Sequence, residues 1–260
     1  MRMYKINRSA YKLFRIYLRL LLGRTRRDRW LTKFWVGAFD LPQFIPYRIR
    51  HSYRTKWLPD LVSTWYDEPN ISGYVSSLKG ELYVDIGASF GHYLQKLSGN
   101  FNHLIAIEAD PQIFQYLKET VPANCKAINV AIADKNGVAE FHSPLGQYNF
   151  GIGSLLPAEK RSNWIKPIPY VTFTVKAITL DSLLSNEDHI DLVKVDVEGA
   201  EGLVIAGSSN MMGKIDRWLI EIHDPLERER IVQTMRAFGY ETKKLDERHY
   251  VFERNSIAPQ

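Results

Sequence analysis

The chain has 260 residues, 45% of them hydrophobic, enough to bury one full core, so one domain with an N-terminal appendage is the economical organisation. Its single cysteine, Cys125, excludes an internal disulfide and makes the cytoplasm, or the cytoplasmic face of a membrane, the expected location. The net charge of +5 conceals an asymmetry: residues 1–56 carry 15 Lys and Arg against 2 Asp and Glu, or +13, which leaves −8 for residues 57–260.

The boundary between an extension (1–56) and a main domain (57–260) is placed at that change of charge. Lys5, Arg8, Lys12, Arg15 and Arg19 recur at spacings of three and four, which predicts a basic amphipathic helix with Tyr4, Tyr11, Phe14 and several leucines around it. Arg15 and Arg19 interrupt the best apolar run, so it falls short of the roughly 18 residues that cross a bilayer. The helix can pack on its own domain, lie on an anionic membrane surface, contact nucleic acid, or act as an organellar presequence. Pro42, Pro46, Pro59 and Pro69 mark a linker, within which residues 57–67 are expected to form a helix over the main site.

From residue 81 the pattern alternates. It predicts strand 81–86, helix 90–98, strand 103–108, helix 111–119 and strand 125–131, then an inserted section, 137–176, with a β-ribbon and a Gly/Pro-rich loop. Strands 190–197 and 216–222 follow, separated by a helix opening near Gly199. A helix over 225–238 then precedes two short runs, 240–244 and 249–252, that form a hairpin. The expected fold class is α/β, a doubly wound, mostly parallel seven-stranded sheet with an antiparallel last strand at its end and an N-terminal helical extension.

The first strand and turn, LYVDIGASFG (82–91), are followed 21 residues after Gly87 by Glu108 at the end of the next apolar run. Strand, small-residue turn, helix and a distant acid describe a nucleoside crevice: Gly87 and Gly91 let a ligand approach the backbone, and Glu108 is placed to accept both ribose hydroxyls. Dinucleotide sites use G-x-G-x-x-G, whereas here the second glycine position is Ser89 and an acid, Asp85, precedes the turn. An acid in the pocket disfavours a diphosphate and suits a cationic nucleoside, so S-adenosylmethionine is the expected cofactor. Asp85, Gly87, Ala88, Ser89, Gly91, Tyr93 and Glu108 are its expected contacts. Ala131 to Asp134 should flank the adenine, with Asp134 either receiving the exocyclic amine or simply turning the chain at DKNG.

Residues 189–207, HIDLVKVDVEGAEGLVIAG, read as a strand running into a helix with Asp196, Glu198 and Glu201 crowded at the junction. Taken with AIEADP, NVAIADKNG, GIGSL, TLDSL and LIEIH, this segment resembles the FkbM-type family of S-adenosylmethionine-dependent methyltransferases over residues 81–253. The resemblance implies a class I methyltransferase fold and methyl transfer to an oxygen, often on a sugar, glycolipid or similar hydroxylated metabolite. Ser89 stands where the family's G-A-N-x-G turn has Asn.

Candidate catalytic residues sit where strands end. His223, after LIEI, is the first candidate for proton acceptor because it titrates near neutrality. Asp196 can touch acceptor or donor, and Glu198 can cap the following helix. Lys194, in a strand covered on both faces, needs an anion, and Glu221 or Asp196 would supply it. Asp196, Glu198 and His223 also suit a hard cation, but a helix-capping acid and a pocket histidine need none, so the reading assigns no metal. Tyr148, Asn149, Phe150 and Ser154 in the insertion are expected to recognise the acceptor. The alternatives are an RNA ribose methyltransferase using the basic segment on phosphates, and a non-catalytic binding module.

Overall fold

The structure is a computed structural model that describes residues 69–144, 152–161 and 170–254, all within the unit Asp67–Gln260. The basic N-terminal helix, the segment 57–67 and the trio Tyr148, Asn149 and Phe150 lie outside the described residues.

Helix α1 (Pro69–Ser76) leads into β1 (Gly80–Ile86), α2 (His92–Leu97), β2 (Phe101–Ile107), α3 (Pro111–Thr120) and β3 (Cys125–Ile128). The inserted section holds β4 (Ala131–Ile132), β5 (Gly137–Pro144) and β6 (Tyr170–Ile178), and α4 (Leu180–Leu183) closes it. The sheet resumes with β7 (Leu192–Val195), α5 (Glu201–Ala206), β8 (Arg217–Glu221), α6 (Pro225–Ala237), β9 (Tyr240–Lys244) and β10 (His249–Arg254).

The main sheet has the order β3-β2-β1-β7-β8-β10-β9. β1 pairs in parallel with β2 on one side and β7 on the other, so the chain reverses its direction of winding between β1 and β7, and the crevice of such a sheet opens there. The antiparallel strand is the last in the chain, as expected, but it lies between β8 and β9 rather than at the edge. The tight hairpin turn makes β9 the outermost strand.

The strands read as unbroken apolar runs because both faces are covered. Val84, Ile86, Ile105, Ile107, Val193, Val195 and Ile220 face α5 and α6, packing with Val204, Met211, Ile231 and Met235. Tyr83, Leu104, Ala106, Leu192 and Leu219 face the opposite way, onto Ile71, Leu94, Leu97 and Leu117. Each fully buried aliphatic side chain here contributes about 1.5–3 kcal/mol. Helix starts follow their capping residues: Asp110 accepts the Gln112 and Ile113 N–H groups ahead of Pro111, and Asp224 accepts that of Leu226 ahead of Pro225.

The strand expected over 125–131 is two elements. Asn129 donates its side-chain amide to the Glu108 and Ala109 carbonyls, ending the ladder with β2. β4 then pairs with β6 in a separate three-stranded sheet, β4-β6-β5, whose β5–β6 ribbon runs from Gly137 opposite Ala177 to Pro144 opposite Tyr170. Ser154 holds the insertion to the main sheet: its backbone pairs with His142, and its hydroxyl donates to the Val197 carbonyl at the end of β7. Cys125 starts β3 half-buried, with burial pushing its thiol up to about 11. No helix among the described residues is long and apolar enough to cross a membrane.

Candidate active site

A cleft opens at the carboxyl ends of β1, β2 and β7. Gly87, Ser89, Glu108, Ala131 and Asp196 line it, with Ile107, Ile113, Val130, Phe141 and Leu155 as apolar walls.

The floor is a backbone contact. Gly87 has φ 78°, and a Cβ there would lie 1.8 Å from the Asp196 carbonyl oxygen, so only glycine lets the β1 and β7 ends meet. Ser89 follows at φ 48°, a left-handed conformation that Asn tolerates better than Ser. It is held there by its N–H, which donates to Glu108 Oε2 at 2.8 Å. The Ser89 hydroxyl is buried and has no hydrogen-bond partner among the described residues, a polar group available to a ligand in the cleft.

Glu108 accepts a second amide, that of Asp110, on Oε1 at 2.7 Å. Burial pushes its carboxyl up to about 7 against those two donors. Asp110 is oriented in turn by its capping role and by the Ser143 hydroxyl.

Five of the expected cofactor contacts line the cleft and five do not. Asp85 is fully buried and points behind the floor: it lies opposite Lys194 in the β1–β7 register, with Lys194 Nζ 3.6 Å from its Oδ1. A carboxylate facing inward from a covered strand takes its counter-ion from the protein, so Asp85 is the lysine's partner. Tyr93 is buried beside this pair, its ring 5.1 Å from Lys194 Nζ. Ala88 and Gly91 shape the turn without lining the cleft: Ala88 donates its N–H to Ile107 O, and Gly91 turns left-handed at the start of α2. Asp134 is exposed in the turn before β5.

Beyond the cleft lies a cluster of charge. Lys194 Nζ is 3.3 Å from Asp196 Oδ2. Burial works against the ammonium, but Asp196 and Asp85 overcome it and hold Lys194 above its ordinary range. The lysine's expected partner Asp196 is therefore present, joined by Asp85. Glu198 does not cap α5: it sits at φ 56°, and the Gly199 N–H is taken by Glu201 Oε1 at 2.8 Å.

His223 is nearly fully buried among carboxylates. Nδ1 lies 2.9 Å from Glu201 Oε1, and Nε2 lies 3.2 Å from Glu221 Oε1, 3.4 Å from Glu198 Oε2 and 4.0 Å from Asp196 Oδ1. Burial opposes a charge on the ring, yet Glu198, Glu201 and Glu221 outweigh it and raise its proton affinity well above the ordinary value. Those carboxylates favour the protonated ring, whereas a proton acceptor needs the neutral one. Burial pushes Glu198 up to about 8 against the pull of His223, and raises Asp196 against the pull of Lys194. Ligand atoms of Asp196, Glu221 and His223 come within 4.8 Å of one another, a spacing that one divalent cation could bridge. Lys194, a cation of the protein's own, already stands 3.3 Å from Asp196. Asp246 and His249 completed the site without being singled out from sequence, because a hairpin register carries them; Glu201 was noted there only as an acid at the junction and Glu221 only as a possible partner of Lys194.

The FkbM methyltransferase domain model matches residues 85–242, which is more than half of the chain and spans both turns and the acid-rich junction. The chain belongs to the FkbM methyltransferase family. S-adenosylmethionine is accordingly its cofactor, and the cleft fits that group: an orphaned Ser89 hydroxyl and an oriented Glu108 carboxylate between apolar walls. No match is found among the curated proteins. Among solved structures, the FkbM-family chain is similar to methyltransferase FkbM from Methylobacillus flagellatus KT at 13% identity, covering 88% of this chain and 71% of that one, with a TM-score of 0.46. It is also similar to TrmK of M. capricolum with S-adenosyl-homocysteine (12% identity; 71% and 68% covered; TM-score 0.37). A third is the N-terminal domain of human METTL16 with SAH (14% identity; 82% and 72% covered; TM-score 0.36).

Proposed function

We propose that this methyltransferase transfers its methyl group to a hydroxyl of a sugar, glycolipid or similar hydroxylated metabolite, with Asp196 as the proton acceptor. The observation that carries this reading is the position of Asp196. It lines the donor cleft and also stands in the buried charge cluster, where Lys194 at 3.3 Å favours its ionised form.

When bound, S-adenosylmethionine supplies an electrophilic methyl carbon. Gly87 and the Ser89 turn admit the nucleoside to the cleft floor, and the two fixed oxygens of Glu108 receive the ribose hydroxyls. Phe141, Gly153 and Leu155, near the Ser154 contact with Val197, wall the cleft. Asp196 would take the acceptor's hydroxyl proton as the carbon–oxygen bond forms and the methyl–sulfur bond breaks, the donor leaving as the neutral thioether. Asp196, whose side chain is 30% exposed, would then release that proton to solvent. His223 keeps Asp196 and Glu198 close together by lending them a positive charge.

The basic extension supports attachment to an anionic membrane surface, where glycolipid acceptors are found: its +13 balance contrasts with −8 for the rest. The same charge supports the rival reading, RNA ribose methylation. Incubation of labelled donor with lipid, polysaccharide and RNA fractions separates them. Label in lipid or polysaccharide is the expected result; label confined to RNA would overturn the acceptor assignment.

A further inference from the structure

The family match ends at residue 242, and charged side chains beyond it reach into the cluster. Antiparallel register sets His249 of β10 directly opposite Glu221 of β8. His249 Nε2 lies 3.3 Å from Glu221 Oε2, and its Nδ1 lies 2.9 and 3.0 Å from the two carboxylate oxygens of Asp246 in the β9–β10 turn. Asp246 is itself fixed, because its Oδ1 also accepts the backbone N–H groups of Arg248 and His249.

The second oxygen of Glu221 meets His223 Nε2, whose ring meets Glu201 on its other side. Asp246, His249, Glu221, His223 and Glu201 therefore form one line of alternating carboxylate and imidazole, every link between 2.9 and 3.3 Å. An imidazole with a carboxylate at each nitrogen donates to both when both nitrogens carry protons, so the line is complete with each ring as a cation.

We infer that Asp246 and His249 are positioning residues of the methyl-transfer site. Asp246 fixes the His249 ring, His249 holds Glu221 and adds a positive charge beside it, and Glu221 thereby holds His223 against Asp196 and Glu198. The inference rests on the reading of Asp196 as proton acceptor. Neither positioning residue lines the cleft.

The other charged groups around this line are accounted for. Glu221 also faces Arg248, whose Nη1 is 3.6 Å from Oε1 on a half-exposed side chain, and feels Lys194 from β7. His223 faces Asp196, Glu198 and Glu201. Arg248 is too solvated to replace a buried imidazolium. Hydrogen bonds from His223 and His249 hold the Glu221 carboxyl well below its usual range despite burial, and His249 adds to the pull that Lys194 exerts on Asp196.

His249→Gln keeps an N–H toward Glu221 while deleting the charge, so it separates charge-setting from hairpin stitching. Ring ¹⁵N resonances of the full-length protein, followed against pH, give the His223 midpoint without any acceptor. The expected result is an upward move of about one pH unit in His249→Gln, the size a neighbouring charge produces, and restoration toward the wild-type value in His249→Lys. Turnover on the labelled fraction should show the acidic limb of kcat rising by a similar amount, with donor affinity and acceptor KM unchanged. An unmoved His223 midpoint in a folded His249→Gln protein overturns the inference. If that variant does not fold, His249→Asn, which also deletes the charge and keeps an N–H, decides with the same two outcomes when measured in the same way. Should no fraction be labelled by the wild type, the O-methyl reading fails while the resonance result still stands.

Discussion

Glu108 sets a pH dependence on donor binding. Two amide donors orient its carboxylate, but burial pushes the group up to about 7 in the empty cleft. Ribose hydroxyls donate hydrogen bonds, so they favour the ionised form, and binding has to remove the proton from whatever fraction of Glu108 still holds it. With half-protonation near pH 7, the dissociation constant for S-adenosylhomocysteine should rise about tenfold between pH 8 and pH 6. The sign also appears in stability: a carboxyl raised from its ordinary 4.5 to about 7 binds more protons folded than unfolded, so the empty protein loses stability as pH rises through that window. The loss amounts to about 3 kcal/mol, and saturating ligand offsets it. Calorimetric titration at pH 6, 7 and 8 gives the first quantity and urea unfolding gives the second. Glu108→Gln should bind roughly 10 to 100 times more weakly, with no pH dependence left, as expected for losing a charged hydrogen bond of about 1.5–3 kcal/mol. A wild-type affinity that is flat from pH 8 to pH 6, or an equal slope in Glu108→Gln, refutes the reasoning.

Other substitutions test the remaining parts. Lys194→Met strips the counter-ion from Asp85 and Asp196 and should cost about 3–5 kcal/mol at pH 8 by urea unfolding; the deficit shrinks toward pH 5 as Asp85, already raised by burial, takes a proton. Gly87→Ala places a methyl group on the Asp196 carbonyl and should cost about 3 kcal/mol and abolish donor binding by calorimetry. In His223→Gln, turnover should fall about 100-fold with donor affinity intact; because the folded ring binds its proton more tightly than the unfolded one, the stability difference from wild type is full below pH 6.5 and closes as pH rises past the folded midpoint. Dialysis against a chelator should leave turnover unchanged, and a loss restored by Mg²⁺ would show that a cation displaces the His223 proton.

The alternation of strands and helices was legible because both sheet faces are covered, which leaves runs such as Tyr83 to Ile86 and Leu192 to Val195 without polar interruption except where the site needs one. Those interruptions, Asp85 and Lys194, were seen, and Asp196 was named as a partner of the lysine, but Asp85 was not. Spacing shows that each side chain projects from a given face, whereas their register as direct cross-strand partners comes from β1 skipping past the whole insertion to pair with β7. His249 was hidden for the same reason, since its place opposite Glu221 follows from antiparallel pairing across a helix and a hairpin. The break after β3 depends on one side chain, Asn129, whose amide takes two carbonyls that a continuing strand would have used. The surroundings of His223 were not legible either, because a sequence gives its ordinary titration range and not the four carboxylates that fold around it.

The two non-glycine residues with left-handed backbone among those described, Ser89 and Glu198, explain why the donor cleft and the charge cluster meet. Each lies just past the end of one of the paired strands β1 and β7, and each is flanked by a glycine that is itself left-handed two residues before or one after, Gly87 and Gly199. Such a backbone costs of order 1–3 kcal/mol per residue and persists only where the surroundings enforce it. At Ser89 the enforcement is the Glu108 carboxylate on its N–H; beside Glu198 it is Glu201 on the Gly199 N–H. The same acids therefore bend the chain and present chemistry, Glu108 to the donor's ribose and Glu201 to His223. Because Gly87 at the first bend touches the Asp196 carbonyl directly, a shift in either strand end would move the ribose-binding oxygens relative to the proton acceptor. Removing the acceptor that holds one bend, for instance by Glu201→Ala, is thus expected to lower methyl transfer to the labelled fraction before it lowers the urea midpoint, because the core is held by side chains on both faces of the sheet.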